Sequence, residues 1–238
     1  SAVVTLFNLN QRKAVQPGTR LVQLGDHIIF SDIANEWIKD VKIAMIQKQS
    51  FIRSRNELTG LIAYYAPAIQ LLIAGAGNDV MAALMGWEIH IADGRLNHAT
   101  TQRFPDATSL RTAKATALLK QWQPDNYSAV ILMTHNYQYD LTLLRELIHT
   151  TIPYIGVLGP AKKLQRMLGE IQETDDEITP LQRVRLYGPA GLDIGAETAE
   201  EIALSIVSEI KSVMSATRPV SLRTKQTTIH ARERQIIL

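Results

Sequence analysis

The sequence predicts an α/β protein. Its larger part reads as a doubly wound, mostly parallel sheet, preceded by a smaller α/β unit. Three observations predict this. Short apolar runs of strand length occur at residues 69–74, 129–133 and 154–158, and residues 87–93 alternate as a further strand. Stretches with helical spacing fall between and after them, near 110–121, 140–149 and 161–171. Strands alternating with helices pack as a parallel sheet covered on both faces. Finally, a glycine-rich segment from Gly188 to Gly195 leads into a helix with Ile202, Ile206, Ile210 and Val213 at helical spacing.

Residues 1–64 form the smaller unit. Arg20–Leu24 and His27–Ser31 flank Gly25-Asp26, a two-residue hairpin turn with glycine first. Residues 34–49 read as a helix with Trp37, Val41, Ala44 and Met45 on one side. His27 beside Asp26 reads as a turn residue, and no chemistry is evident in this unit. Residues 65–215 form the second unit and 216–238 a basic tail carrying Arg218, Arg223, Lys225, Arg232 and Arg234.

In a doubly wound sheet, ligands bind beyond the carboxyl ends of the strands, so the strand ends supply the candidate residues. Gly75-Ala76-Gly77 follows the first strand and opens like a dinucleotide fingerprint, but Val80 stands where the third glycine belongs. Eight residues separate Gly77 from Gly86. A crossover between parallel strands takes roughly a dozen, so this connection is either shortened or lacks residues. Asp93 ends the next strand, where an acid can meet ribose hydroxyls, and Arg95 could meet a phosphate. Thr134-His135-Asn136 follows the third strand, and Asp140 reads as the cap or first-turn acid of the next helix. Gly156 and Gly159 bracket the end of the fourth strand, before Pro160-Ala161-Lys162-Lys163, where an anion would rest on Lys162 and Lys163, although surface lysines are usually just solvated. In the last segment Gly191, Asp193 and Gly195 precede Thr198 and Glu201, which have the spacing of a capping box. A glycine-rich turn feeding a helix start suits an anion.

Composition excludes several classes. Cysteine is absent, so the chain carries no persulfide and ligates no zinc through sulfur; it fits a reducing compartment. A net charge of +2 gives no case for nucleic acid. No apolar run approaches membrane-spanning length, and no signal peptide is evident. No pair among His90, His98, His149 and His230 has metal-ligand spacing, and neither a nucleophile elbow nor an NTPase phosphate loop occurs.

Several pieces together resemble a known family. They are Gly75-Ala76-Gly77, Gly86-Trp87 leading to Asp93-Gly94-Arg95, Phe104-Pro105, and Met133-Thr134-His135 with Asp140-Leu141. Tyr154-Ile155-Gly156-Val157-Leu158-Gly159 follows, and then Gly191-Leu192-Asp193-Ile194-Gly195-Ala196 with Glu200-Glu201-Ile202-Ala203. Residues 65 to 215 are thereby similar to the XdhC/CoxI family, maturation factors of xanthine and CO dehydrogenases. The resemblance implies a Rossmann-like second domain. It also implies a non-enzymatic, cytoplasmic chaperone that binds the molybdenum cofactor (molybdopterin) transiently and inserts it into an apo molybdenum hydroxylase of the xanthine dehydrogenase type. A cysteine desulfurase is the implied sulfur donor, and a homodimer would suit the tail. The cofactor-binding set it implies is Gly75, Gly77, Asn78, Asp79, Asp93, Arg95, Thr134, His135, Asn136, Gly156, Gly159, Gly191, Asp193 and Gly195. Two alternatives stay open: an NAD(P)-dependent oxidoreductase using the Gly75–Gly77 loop, and a protein-binding scaffold whose ligand site is degenerate.

Overall fold

The computed structural model describes residues 1–11, 13, 15–76, 85–95, 97–174, 177–224 and 226. They divide into two compact units, Ser1–Pro67 together with the segment that begins at Ser221, and Ala68–Val220.

The first unit holds an antiparallel sheet of β1 (Ala2–Phe7), β2 (Gly18–Leu24), β3 (His27–Phe30), β4 (Phe51–Arg55) and β5 (Leu58–Tyr64), in the order β3-β2-β1-β5-β4. The expected hairpin is there: Leu24 pairs with His27, and Gly25 takes φ 56 between them. The expected helix becomes a 3₁₀ turn, Asp32–Trp37, followed by α1 (Ile38–Gln47). Trp37, Val41 and Ala44 are buried with Val4, Leu6 and Ile62. Strands β1, β4 and β5 were not foreseen, although β1 shows the period-2 pattern, with Ala2, Val4 and Leu6 buried and Val3, Thr5 and Phe7 not. Asp40 on α1 is fully buried and receives both Arg53 and Arg55 from β4.

The second unit holds β6 (Gln70–Ala74), β7 (Glu88–Asp93), β8 (Ser109–Thr112), β9 (Ser128–Leu132), β10 (Tyr154–Val157) and β11 (Leu186–Tyr187). Their order is β11-β10-β9-β6-β7-β8, and every neighbouring pair is parallel. Counted from β6, this is the doubly wound strand order whose direction of winding reverses between β6 and β9. Among the described residues its helices are α2 (Ala115–Gln121), α3 (Tyr137–Leu147), α4 (Ala161–Gln172), the single turn α5 (Pro180–Arg183) and α6 (Ala199–Met214).

Alternate strand residues explain the two layers. Leu72, Ala74, Val130, Leu132, Ile155 and Val157 pack against Leu118, Leu144, Leu147, Met167 and Ile171 of α2, α3 and α4. Leu71, Ile73, Ile89, Ile91 and Ile131 pack on the other side with Ile206, Val207 and Ile210 of α6. Coverage of both faces corrects the alternation read at 87–93, because every residue from Ile89 to Asp93 is buried. The stretch 110–121 is likewise not one helix. Ser109–Thr112 adds to β7 as an edge strand, and the helix starts only at Ala115. Two-residue β11 left no readable period.

Candidate functional site

The strand ends at the winding reversal are joined in a row. The Gly75 N–H donates to the Ala92 carbonyl at 2.7 Å, and the Met133 N–H to the Ala74 carbonyl at 2.8 Å. The Leu158 N–H donates to Leu132 at 2.9 Å, and the Ala190 N–H to Val157 at 3.2 Å. Gly75 is required where it stands. Its φ is 108, and a Cβ there would lie 2.8 Å from the Met133 carbonyl oxygen and 3.0 Å from the Thr134 nitrogen. Gly77, Asn78 and Asp79, expected to continue this turn, lie outside the described residues.

Asp93, 2% exposed, closes the turn from the side of β7. Its carboxylate accepts from the Ala76 N–H at 3.2 Å, the Arg95 N–H at 2.9 Å, and Arg95 Nε and Nη2 at 3.0 and 2.8 Å. The Arg95 side-chain bonds, joined by those backbone donors, hold the Asp93 pKa down at about 2 against the effect of burial. The acid expected to face a ribose is thus occupied by Arg95, the residue expected to face a phosphate. Tyr139 packs beside Gly94 and donates to the Ala113 carbonyl at 2.8 Å. Burial first, then Asp93 and Asp140, push its pKa up to about 12.

An open cleft of about 360 Å³ lies at the carboxyl ends of β9 and β10, lined by Met133, Thr134, His135, Tyr137, Leu158, Gly159 and Lys163. Its polar wall is organised by Asp140, which is fully buried on the first turn of α3. Lys163 Nζ donates to Asp140 Oδ2 at 2.7 Å and to the Leu158 carbonyl at 3.2 Å. Thr134 Oγ1 donates to Asp140 Oδ1 at 2.5 Å and accepts from the Asn136 N–H at 3.2 Å. Burial raises the Asp140 pKa, opposed by the bonds from Lys163 and Thr134. Asn136 is the helix cap, its side chain accepting from the Tyr139 N–H at 3.1 Å. Asp140 is therefore the first-turn acid and not the cap, and the Asn136 side-chain oxygen is engaged in capping. The Tyr137 ring lies under the Arg166 guanidinium, 4.6 Å away, and its hydroxyl donates to Glu170 at 3.0 Å.

Among the expected residues, Thr134, His135 and Gly159 line this cleft, and Gly75 abuts Thr134. Gly156 does not line it. It lies within β10, where a Cβ would meet Ile131 Cδ1 at 2.7 Å and Tyr154 Cε1 at 2.8 Å, so its smallness serves packing. Gly191, at φ 111, also serves packing, since a Cβ would come 2.5 Å from Ser205 Oγ. Its N–H donates at 2.8 Å to Glu209 Oε2, which also accepts the Tyr154 hydroxyl at 2.7 Å. Asp193 and Gly195 are exposed and do not line the cleft. The Thr198–Glu201 capping box forms as expected, and the Glu201 carboxylate accepts the N–H groups of Glu197 and Thr198 at 2.9 and 3.0 Å. That helix start already carries its own anion. Sequence reasoning missed Tyr137, Met133 and Leu158, and it named Lys163 with Lys162 as the cations an anion would meet here while reading both as solvated. For Lys163 a signal existed: a cation in the first turn of a helix opposes the helix dipole. Among the described residues no three His, Asp or Glu side chains gather closely enough to hold a metal, and no helix is long and apolar enough to cross a membrane.

A parallel sheet in this order, with a cleft at its strand ends, defines a Rossmann-type α/β unit. Residues 71–210 match the family model of the XdhC Rossmann domain, and the chain belongs to that family. It is 35% identical over 149 residues to a protein of Bacillus subtilis described as a probable subunit of xanthine dehydrogenase, covering 60% of this chain and 42% of that protein. Its identity to the molybdenum cofactor insertion chaperone PaoD of Escherichia coli is 26% over 170 residues, covering 68% and 45%. The chain spans less than half the length of these curated relatives. A crystal structure of a xanthine dehydrogenase from Bacillus halodurans superposes with a TM-score of 0.62 at 25% identity, covering 91% of this chain and 63% of that one.

Proposed function

We propose that this chain is part of a factor that receives the molybdenum cofactor and passes it to an apo molybdenum hydroxylase of the xanthine dehydrogenase type, without turnover of its own. One observation carries the reading: a member of the XdhC family has, at the strand ends of its Rossmann-type sheet, a cleft walled by Met133, Tyr137 and Leu158 and carrying the Lys163 ammonium. The chemistry of the cargo fits those residues. Its flat pterin suits a slot with apolar and aromatic walls, and its phosphate suits a fixed cation. The volume lies in the range of small-molecule sites. His135, exposed at the rim, is free of the capping work that engages Asn136 and supplies a ring nitrogen for hydrogen bonding. A cysteine desulfurase belongs to the proposal as the sulfur donor, since the chain has no cysteine.

The dinucleotide reading draws support from the strand order and from Gly75. It is weakened at Asp93, whose two oxygens are taken by Arg95 and the Ala76 N–H. The test is chemical. The chain, produced in cells that make the cofactor, is denatured and oxidised, and the extract is assayed for pterin fluorescence and for dinucleotide mass. Pterin is expected from the wild type, and capture of a molybdenum hydroxylase from the same cells. His135→Trp, which fills the rim from an exposed position, is expected to lose the pterin while keeping the fold. A dinucleotide in place of pterin would overturn the proposal.

A further inference from the structure

An ammonium group has three donors. In Lys163, Asp140 Oδ2 and the Leu158 carbonyl hold the group from two directions, and the residue lines the cleft. Its side chain is 19% exposed, while the carboxylate behind it is fully buried. The pair therefore presents a cation outward and keeps its counter-charge inside. Fold stability does not call for this arrangement. Lys163 is the third residue of α4, where the helix dipole disfavours a cation, and Asp140 is removed from water to face it. Local preferences broken in this way tend to mark functional sites. Nearby, Gly159 at φ 123 leaves the approach open, since a Cβ there would touch only Lys163 Cδ, at 3.3 Å.

At two other places expected to hold an anion, N–H groups among the described residues already have acceptors within the protein. At the Gly75 turn, the Gly75 N–H goes to Ala92 and the Ala76 N–H to the Asp93 carboxylate. At the start of α6, the Glu201 carboxylate takes the Glu197 and Thr198 N–H groups. We infer that Lys163 is the anion contact of the cleft and that Asp140 is its positioning residue. Together with the Leu158 carbonyl, Asp140 fixes the ammonium so that its third donor meets a phosphate monoester of the ligand. The anionic end of the ligand is then held after β10, and not at the glycine turn after β6. This assignment rests on reading the cleft as the cargo site, and adds which end of the cargo lies where.

The probe is inorganic pyrophosphate, titrated into the full chain at low salt and followed by phosphorus and protein NMR. Wild type is expected to bind it, with amide shifts concentrated at 158–163 and a shift of the Lys163 ammonium resonance. Lys163→Met is expected to weaken binding at least tenfold, and Lys163→Arg to restore part of it. In Asp140→Asn the ammonium resonance should broaden through faster exchange while the α3 and α4 amides keep their positions, a change that a purely structural role for Asp140 would not produce. Equal binding by Lys163→Met overturns the inference, as do wild-type shifts centred on Gly75 or on 188–198. If Lys163→Met does not fold, the wild-type shift map and Lys163→Arg decide alone. Pterin retained equally by wild type and Lys163→Arg, with no pyrophosphate shift at 158–163, defeats this inference and leaves the cargo reading standing. Pyrophosphate bound at Lys163 with no pterin recovered from cells defeats the cargo reading and leaves the anion contact.

Discussion

Replacing Gly75 by alanine tests whether the two central strand ends truly meet. Two costs add at this position. Its φ of 108 is a conformation that side chains rarely adopt, costing about 1–3 kcal/mol. The new Cβ would also lie 2.8 Å from the Met133 carbonyl oxygen and 2.9 Å from its carbonyl carbon. Those are backbone atoms fixed in β9's continuation, so the collision is relieved only by separating β6 from β9, at a further cost of about 1–3 kcal/mol. A loss of about 4 kcal/mol is expected. With a urea slope of about 2 kcal/mol per molar, the unfolding midpoint should fall by about 2 M. Buried Trp122, in the same unit, reports the transition by fluorescence. Gly195→Ala is the control. Its φ is 73, but nothing lies within 4 Å of the new Cβ, so only the backbone term of about 1 kcal/mol applies. Equal midpoints for the two variants would refute the close approach, because that approach is the only difference between them that exceeds backbone strain.

Two further perturbations follow from the same geometry. The Asp93 pKa is depressed from 3.8 to about 2 on folding. The stability this contributes is full above the unfolded value and lost as pH falls towards about 2. Just under two units at about 1.4 kcal/mol each sets a ceiling near ~2.5 kcal/mol, and about 1 kcal/mol is expected because the Arg95 side chain is half exposed. Urea midpoints at pH 7, 4 and 2.5 should show the advantage of wild type over Asp93→Asn shrinking through that window, and a pH-independent difference would count against the pairing. Glu209→Ala should leave the Tyr154 hydroxyl and the Gly191 N–H without their acceptor, costing about 2–3 kcal/mol. Amide hydrogen exchange in 188–195 should accelerate at least tenfold, and unchanged protection there would show that the segment is held by other means.

The legible part of the fold was the part with a period. Apolar runs marked β6, β9 and β10 to within a residue or two, because strands buried on both faces are nearly all apolar, and alternation marked β7. The Thr198–Glu201 box was readable because a cap is a local exchange of hydrogen bonds between neighbours three residues apart. Edge strand β8 was read as the start of a helix, since three half-buried residues and one exposed one next to a true helix carry too little pattern. At the cleft, the strand-end rule led to Thr134, His135 and Gly159, while Lys163 was set aside as solvated, because a lysine looks so until a buried carboxylate 23 residues away is brought against it. The same rule overreached at Gly156 and Gly191, where glycine answers to Tyr154 and Ser205.

The sequence by itself determined a Rossmann-type layer order, the family, and the turns from which a site could be built. Each of these follows from interactions close along the chain or from the alternation of elements. The tertiary structure alone decided which turns share a cleft and which charges face each other. Asp93 pairs with Arg95, Asp140 with Lys163, and Glu209 gathers Tyr154 and Gly191. Partners in the last two cases come from different elements or from the turn at Gly191. A carboxylate removed from water takes whichever donor packing delivers to it, and spacing along the chain does not encode that choice.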